Sequence, residues 1–126
     1  MGIQINGQTD RISAVDGKVG GWSIEDSLYL TKQLKNVGVD VIDCSSGGIA
    51  GYGENSLPPS TPGYQVAHSS TIKKHVDIIT QAVGLITDPA QAETILRSGA
   101  ADLISLAREL LYNPYWARHA AKSLDE

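Results

Sequence analysis

Four short apolar runs rich in β-branched residues alternate with segments of helical spacing along this chain. Runs of this kind form the strands of a parallel sheet, and each intervening helix crosses back over one face of it. The predicted strands cover residues 11–15, 39–44, 82–86 and 101–106. The pattern therefore predicts an α/β fold, either a barrel of βα units or an open doubly wound sheet.

Helix signals lie between the predicted strands. Ser23 and Asp26 have the spacing of a capping box, and Gly38 stands where a helix-ending glycine belongs. Thr87 or Asp88 is expected to cap a third helix that has proline in its first turn and ends near residue 99. The second and last helices are predicted over residues 69–79 and 114–123.

One motif occurs twice, at the start of the second and fourth predicted strands. Both copies consist of a glycine, one or two small residues, an aspartate and a buried strand, and Asp40 and Asp102 occupy the same place in them. A repeated βα unit favours a barrel or a doubly wound sheet.

The longest irregular stretch covers residues 45–63, and a structureless segment of this length in a compact domain usually has a function. Residues 48–55 have the glycine spacing of a P-loop, but Glu54 stands where the phosphate-binding lysine must be. We therefore reject a P-loop, and the same glycines do not fit the dinucleotide-binding fingerprint either.

Charge and cysteine content exclude several classes of protein. A net charge of −4 leaves no basic stripe for a phosphate backbone, so nucleic acid is not an expected partner. Cys44 is the single cysteine and cannot form an internal disulfide, which suits a reducing compartment. No signal peptide and no run of eighteen apolar residues is present, so we expect a cytoplasmic protein without a membrane partner.

Candidate binding residues lie at the ends of the predicted strands, where both architectures bind ligands. Gly84 interrupts a strand, which suggests that another group comes close to its backbone. Arg108 follows the fourth strand at the opening of a helical turn, and a guanidinium beside free N–H groups can bind a phosphate. Alternatively, Arg108 only pairs with Glu109 or Asp102 at the rim.

Arg11 heads the first predicted strand, and alternation could turn its side chain toward the sheet interior, where it needs an anionic or acceptor partner. Alternatively, the strand begins later and Arg11 is solvated. Cys44 is expected to be a small buried apolar residue rather than a nucleophile. His68 and His75 share a helical face without further ligands, so no metal site is expected.

Six segments together resemble one known family. They are RISA (11–14), GGWSIEDS (20–27), GVDVIDCSSGG (38–48), PGYQV (62–66), VGLIT (83–87) and AADLISLARELLYNP (100–114). In order and spacing they resemble the C-terminal half of the Old Yellow Enzyme family, in its branch of bacterial NADPH-dependent flavin oxidoreductases. The resemblance implies that residues 11–126 form the C-terminal half of a (β/α)8 TIM barrel, preceded by a lead-in of residues 1–10 that does not look like the family.

Members of that family bind FMN without a covalent bond. NADPH or NADH reduces the flavin, which then reduces an activated C=C bond or a xenobiotic acceptor. The resemblance implies that Arg11 contacts the pyrimidine side of the flavin, and that Gly84 and the pair Ala107 and Arg108 contact the phosphate. Ser45 is a weaker candidate for the same side of the cofactor, and Ala107 replaces the glycine usual in the family.

The resemblance also implies what is missing. The substrate-binding histidine pair and the tyrosine proton donor of the family belong to its N-terminal half, so we assign no catalytic residue and expect no turnover by this chain alone. A half-barrel has two open strand edges, which predicts self-association or pairing with a complementary half. The alternative is a non-catalytic phosphate-binding, nucleotide-binding or structural remnant of a half-barrel.

Overall fold

The computed structural model describes residues 7–46 and 62–125. Its sheet contains four parallel strands in the order β1-β2-β3-β4. They are β1 (Thr9–Ser13), β2 (Val41–Ser45), β3 (Ile79–Ala82) and β4 (Leu103–Ile104). Every strand lies beside the next one in the chain, whereas a doubly wound sheet reverses this order at a switch point. The α/β prediction is confirmed, and the strand order is that of a βα barrel.

Five helices connect and follow these strands within the described residues. They are α1 (Ile24–Asn36), α2 (Val66–Val76), α3 (Pro89–Arg97), α4 (Arg108–Tyr112) and α5 (Trp116–Ser123). The capping box predicted at the start of α1 is present, because the Ser23 side chain accepts from the Asp26 N–H and the Asp26 carboxylate accepts from the Ser23 N–H. None of the helices in this part of the chain is long and apolar enough to cross a membrane.

The bounds of α2 and β3 differ most from the predicted ones, and those of β1, β2, β4 and α5 differ by about two residues or fewer. α2 begins and ends three residues earlier than predicted. It ends at Val76 because its C-cap Asp77 adopts a left-handed φ of 55°, a conformation that glycine or asparagine usually marks in a sequence. The third strand is β3 at Ile79–Ala82 rather than residues 82–86, because Gly84 and Leu85 have φ values of 117° and 50° that end the extended backbone. Of the irregular stretch 45–63, residues 47–61 lie outside the described residues.

The buried apolar residues form two clusters on the helix-covered side of the sheet. The first cluster lies under α1 and α2 and consists of Ile12, Val39, Ile42, Cys44, Ile72, Val76 and Ile78. The second cluster lies under α3 and consists of Ala82, Ile86, Ala92, Ile95 and Ala101. The opposite face of β1 carries exposed side chains at Thr9, Arg11 and Ser13.

The repeated aspartate has the same structural role in both copies of its motif. Asp40 donates its N–H to the Gln8 carbonyl at 3.0 Å, and its Oδ2 accepts the Gln8 N–H at 3.1 Å. Asp102 repeats both contacts on Thr80, at 2.9 and 3.0 Å. The repeat therefore fixes the strand that follows each aspartate against the preceding neighbour, β2 against β1 and β4 against β3.

Candidate functional site

A cavity of about 180 Å³ lies beyond the carboxyl ends of β3 and β4. Its lining includes Tyr64, Gly84, Thr87, Ala107 and Arg108. A cavity needs only about 10–15 Å³ to hold one water molecule, so this one has room for a group of several atoms. The structure thus brings three of the five sequence-predicted site residues, Gly84, Ala107 and Arg108, around one space.

Gly84 has two physical reasons to be a glycine. Its φ of 117° is a conformation that side chains rarely adopt. A Cβ atom there would collide with the amide nitrogen of Gln65 and lie 3.1 Å from Cε1 of Tyr64. In this structure the close approach expected at Gly84 is therefore made by two side chains of the chain itself.

Gln65 joins the ends of β2 and β3, and sequence reasoning did not identify it. The residue is 3% exposed and immediately precedes α2. Its Oε1 accepts hydrogen bonds from the N–H and the hydroxyl of Ser46. The same oxygen accepts from the Ser45 hydroxyl at 3.2 Å, and Nε2 donates to the Val83 carbonyl at 3.2 Å. The sequence signal was weak, since a glutamine next to a predicted helix has no distinctive spacing. Gln65 links the predicted residue Ser45 to the strand end beside the cavity.

The loop between β3 and α3 is held in place by side chains from two helices. Leu85 follows Gly84 with a left-handed φ of 50°, a strained conformation for a branched residue. Gln91 of α3 donates to the Leu85 carbonyl at 3.4 Å and accepts from the Thr87 N–H at 3.3 Å. Trp116 of α5 donates its indole N–H to the Thr87 carbonyl at 2.7 Å. Strained backbone that is fixed from several sides is typical of ligand-binding loops.

Arg108 is exposed at the rim of the cavity and opens α4, which is only five residues long. Neither pairing considered for it is present, because the Asp102 carboxylate binds Lys73 at 2.8 Å and Glu109 makes no ion pair within residues 7–46 and 62–125. Ala107 has a φ of −125° and a ψ of −87°, so the position does not demand the positive φ for which glycine is the usual residue.

Arg11 lies in β1 directly opposite Asp43 of β2. Its Nε is 2.9 Å from Oδ2 of Asp43, and its side chain is 57% exposed. The alternative of a later strand start is wrong, since β1 begins at Thr9. The acceptor partner that an inward arginine needs is Asp43, a residue the sequence did not single out.

Cys44 is fully buried in the first cluster, as expected. Burial, together with the nearby Asp43 charge, raises the pKa of its thiol to about 12. Such a thiol is not a nucleophile near neutral pH.

The two histidines of α2 have separate surroundings. The Nδ1 of His75 lies 2.8 Å from the Thr71 carbonyl, and burial lowers the pKa of His68. Within the part of the chain that the structure describes, no three His, Cys, Asp or Glu residues are grouped as metal ligands would be.

Comparison with known proteins adds independent findings. A family profile described as NADH:flavin oxidoreductase / NADH oxidase family matches residues 6–126. The chain is 49% identical over 117 residues to an NADPH dehydrogenase of Geobacillus sp. (strain WCH70), and 48% identical over 114 residues to one of Halalkalibacterium halodurans. Each match covers 90% of this chain and 32% of the relative, so the chain spans about a third of the length of these curated relatives.

A solved structure of histamine dehydrogenase from Rhizobium sp. 4-9 superposes with a TM-score of 0.71. The two chains are 23% identical, and the match covers 91% of this chain and 16% of the other. At this identity the likeness shows the fold alone. It agrees with the sequential parallel strand order of a partial α/β barrel.

Proposed function

Because the chain belongs to the NADH:flavin oxidoreductase / NADH oxidase family, we propose that residues 11–126 form the FMN-binding C-terminal half of a (β/α)8 barrel. The enzyme would be an NAD(P)H-dependent flavin oxidoreductase of the ene-reductase type. The observation that carries the proposal is the cavity at the ends of β3 and β4, which Arg108 lines together with Gly84 and Ala107. The lone cysteine, which is free and buried, suits a cytoplasmic location.

The described residues fit the phosphate group of FMN. A guanidinium can form two parallel hydrogen bonds with phosphate oxygens, and no carboxylate within residues 7–46 and 62–125 pairs with Arg108. Arg108, with the backbone at Gly84 and Ala107, would hold the phosphate. Hydrogen bonds from Gln91 and Trp116 fix the loop after β3, which lines this part of the cavity.

Arg11 would face the pyrimidine side of the flavin, with Ser45 as a second contact of the same cofactor. Bound FMN supplies hydride and electron transfer, which no side chain can provide. The positive charge of Arg11 would stabilise the negative charge that reduction creates. NADPH or NADH is the proposed reductant, and an activated C=C bond or a xenobiotic is the proposed acceptor.

We also propose that the chain self-associates or pairs with a complementary half-barrel. Within the described residues, β1 and β4 are the edges of the sheet, and unpaired strand edges favour pairing with another chain. Leu111 and Tyr112 of α4 are 81% and 85% exposed. Light scattering at high concentration tests the proposal, and a species of only 13.4 kDa would contradict it.

FMN titration of the purified chain, followed by quenching of flavin fluorescence, tests the cofactor proposal. Riboflavin, which lacks the phosphate, should bind more weakly than FMN. Arg108→Ala should weaken FMN binding about tenfold or more, since it removes charged hydrogen bonds, and should leave riboflavin binding unchanged. Arg118→Ala is the matched control, because it removes an exposed arginine from α5.

Two results would count against the cofactor proposal. Equal loss of FMN binding in Arg108→Ala and Arg118→Ala would show that only net charge matters. Similar affinity for FMN and for unrelated phosphate compounds would favour the non-catalytic phosphate-binding alternative.

A further inference from the structure

Asp43 is a buried carboxylate that the fold alone does not explain. It lies in β2, its side chain is 9% exposed, and within residues 7–46 and 62–125 its one ion pair is the contact of Oδ2 with Arg11. Its other oxygen, Oδ1, is buried and has no hydrogen-bond partner among the described residues. A buried acceptor without a donor costs stability, and the neighbouring β2 positions are Val41, Ile42 and Cys44. A residue that breaks the local pattern at such a cost points to a function.

The contact between the two side chains restrains Arg11 in a specific way. The ion pair joins Oδ2 of Asp43 to Nε of Arg11, the guanidinium nitrogen nearest the aliphatic stem, and among the described residues no other carboxylate pairs with Arg11. The guanidinium is planar, so an ion-pair contact at Nε restrains its orientation and leaves its outer edge available to a ligand. With a side chain 57% exposed, Arg11 presents that edge to the surroundings rather than to the core.

We propose that Asp43 is a positioning residue for Arg11. It holds the guanidinium through Nε and leaves the two terminal nitrogens for the pyrimidine side of FMN, so the inference rests on the function proposed above. Its negative charge also offsets part of the guanidinium charge. The reduced, negatively charged flavin is therefore stabilised less than it would be by an arginine alone.

Asp43→Asn tests this role, because it keeps the size and one acceptor oxygen but removes the charge. The reduction potential of bound FMN should rise in this variant, because the negative charge that offsets the Arg11 guanidinium is removed. Glu93→Gln is the matched control, since it makes the same charge change in the ion pair with Arg97 on α3. An unchanged potential in Asp43→Asn, or the same shift in both variants, would overturn the proposal.

A flavin-free measurement separates this proposal from the proposed function. In ¹⁵N NMR of the chain, the Nε–H of Arg11 should exchange with solvent about tenfold more slowly than that of the exposed Arg118, and Asp43→Val should abolish the difference. Equal exchange of Arg11 and Arg118 in the unaltered chain would contradict positioning by Asp43, whether or not FMN binds. A chain that binds no FMN but shows slow Arg11 exchange would contradict only the proposed function.

A second variant covers the case in which Asp43→Asn does not fold. Asp43→Glu keeps the charge and displaces the carboxylate by one methylene group. The potential of bound FMN should then stay near that of the unaltered chain, while FMN affinity falls several-fold because Arg11 is displaced. Unchanged affinity in a folded Asp43→Glu would overturn the positioning role.

Discussion

The two halves of the sheet are β1 with β2 and β3 with β4. The same aspartate contact aligns the strands of each half, but the halves differ in what else they contribute. β1 and β2 pair along five positions and cover the first cluster, which is rich in isoleucine and valine. β3 and β4 pair at two positions and cover the second cluster, in which three of five members are alanine. The first half thus provides most of the apolar burial, and the second half provides the cavity.

The two halves also contribute different kinds of group to the candidate site. In the first half the chemistry lies in paired side chains, Arg11 and Asp43. In the second half it lies largely in backbone conformation at Gly84 and Leu85, fixed by Gln65 and Gln91. Each half therefore contributes to the candidate site in its own way, while the aspartate contact that aligns the strands stays the same.

The largest expected effect is on stability in the first half. Ile42→Ala removes a fully buried side chain from the first cluster and should lower the free energy of unfolding by about 2–5 kcal/mol. Ile104→Ala, at a half-buried position beside the second cluster, should cost clearly less. Urea denaturation followed by circular dichroism measures both, and equal losses would remove the difference between the halves.

The next effect concerns the backbone of the second half. Gly84→Ala forces a side chain into a φ of 117° and against Gln65 and Tyr64, so it should destabilise the chain by about 3 kcal/mol. Gly99→Ala meets no atom within 4 Å and has only the backbone cost of its φ of 76°, about 1 kcal/mol. Thermal unfolding of the two variants compares them, and a Gly84→Ala variant as stable as Gly99→Ala would refute the crowded geometry.

A smaller and equal effect is expected at the repeated aspartates. Asp40→Ala and Asp102→Ala each remove one carboxylate bond to a neighbouring strand and should each cost about 1 kcal/mol. Lys73→Met, which removes only the ion pair of Asp102, is the control for that additional contact. A loss of stability in only one of the two aspartate variants would show that the two contacts do not stabilise the sheet equally.

The last effect is absent near neutral pH and appears only at alkaline pH. Because burial raises the thiol pKa of Cys44 from 9.0 to about 12, the folded chain keeps a proton that the unfolded chain releases in that range. Stability should therefore decline as the pH rises from about 9 to about 12 and be independent of this group below that range. Urea titrations at pH 8 and pH 10.5 measure the slope. A slope as steep in Cys44→Ala as in the unaltered chain would assign it to other groups.

The sequence predicted those features whose causes are local. The capping box at Ser23 and the cap at Asp88 followed by proline are read from adjacent residues, and both are present. The third strand was predicted at the wrong place because residues 78–86 are apolar or β-prone almost throughout. The positive φ values at Asp77, Gly84 and Leu85 set its ends instead. Such conformations at non-glycine residues leave no clear signal in a single sequence.

The site residues show the same division. Arg11, Gly84 and Arg108 were identified through their positions at strand ends and through family resemblance, whereas Gln65 and Asp43 were not identified. Gln65 acts on Ser45 and Val83, which are distant from it in the chain, and Asp43 acts across the sheet on Arg11. Contacts between distant segments depend on the register of the strands, which composition and spacing alone do not provide.

Each half of the molecule also contains its own optical reporter. The chain has two tryptophans: Trp22 donates its indole N–H to Ser27 at 2.7 Å beside α1, and Trp116 donates to Thr87 at 2.7 Å beside the cavity. Indole emission responds to the loss of such a bond and to the entry of water. Fluorescence of Trp22→Phe and Trp116→Phe variants would then follow the opening of the two halves separately, with no added dye.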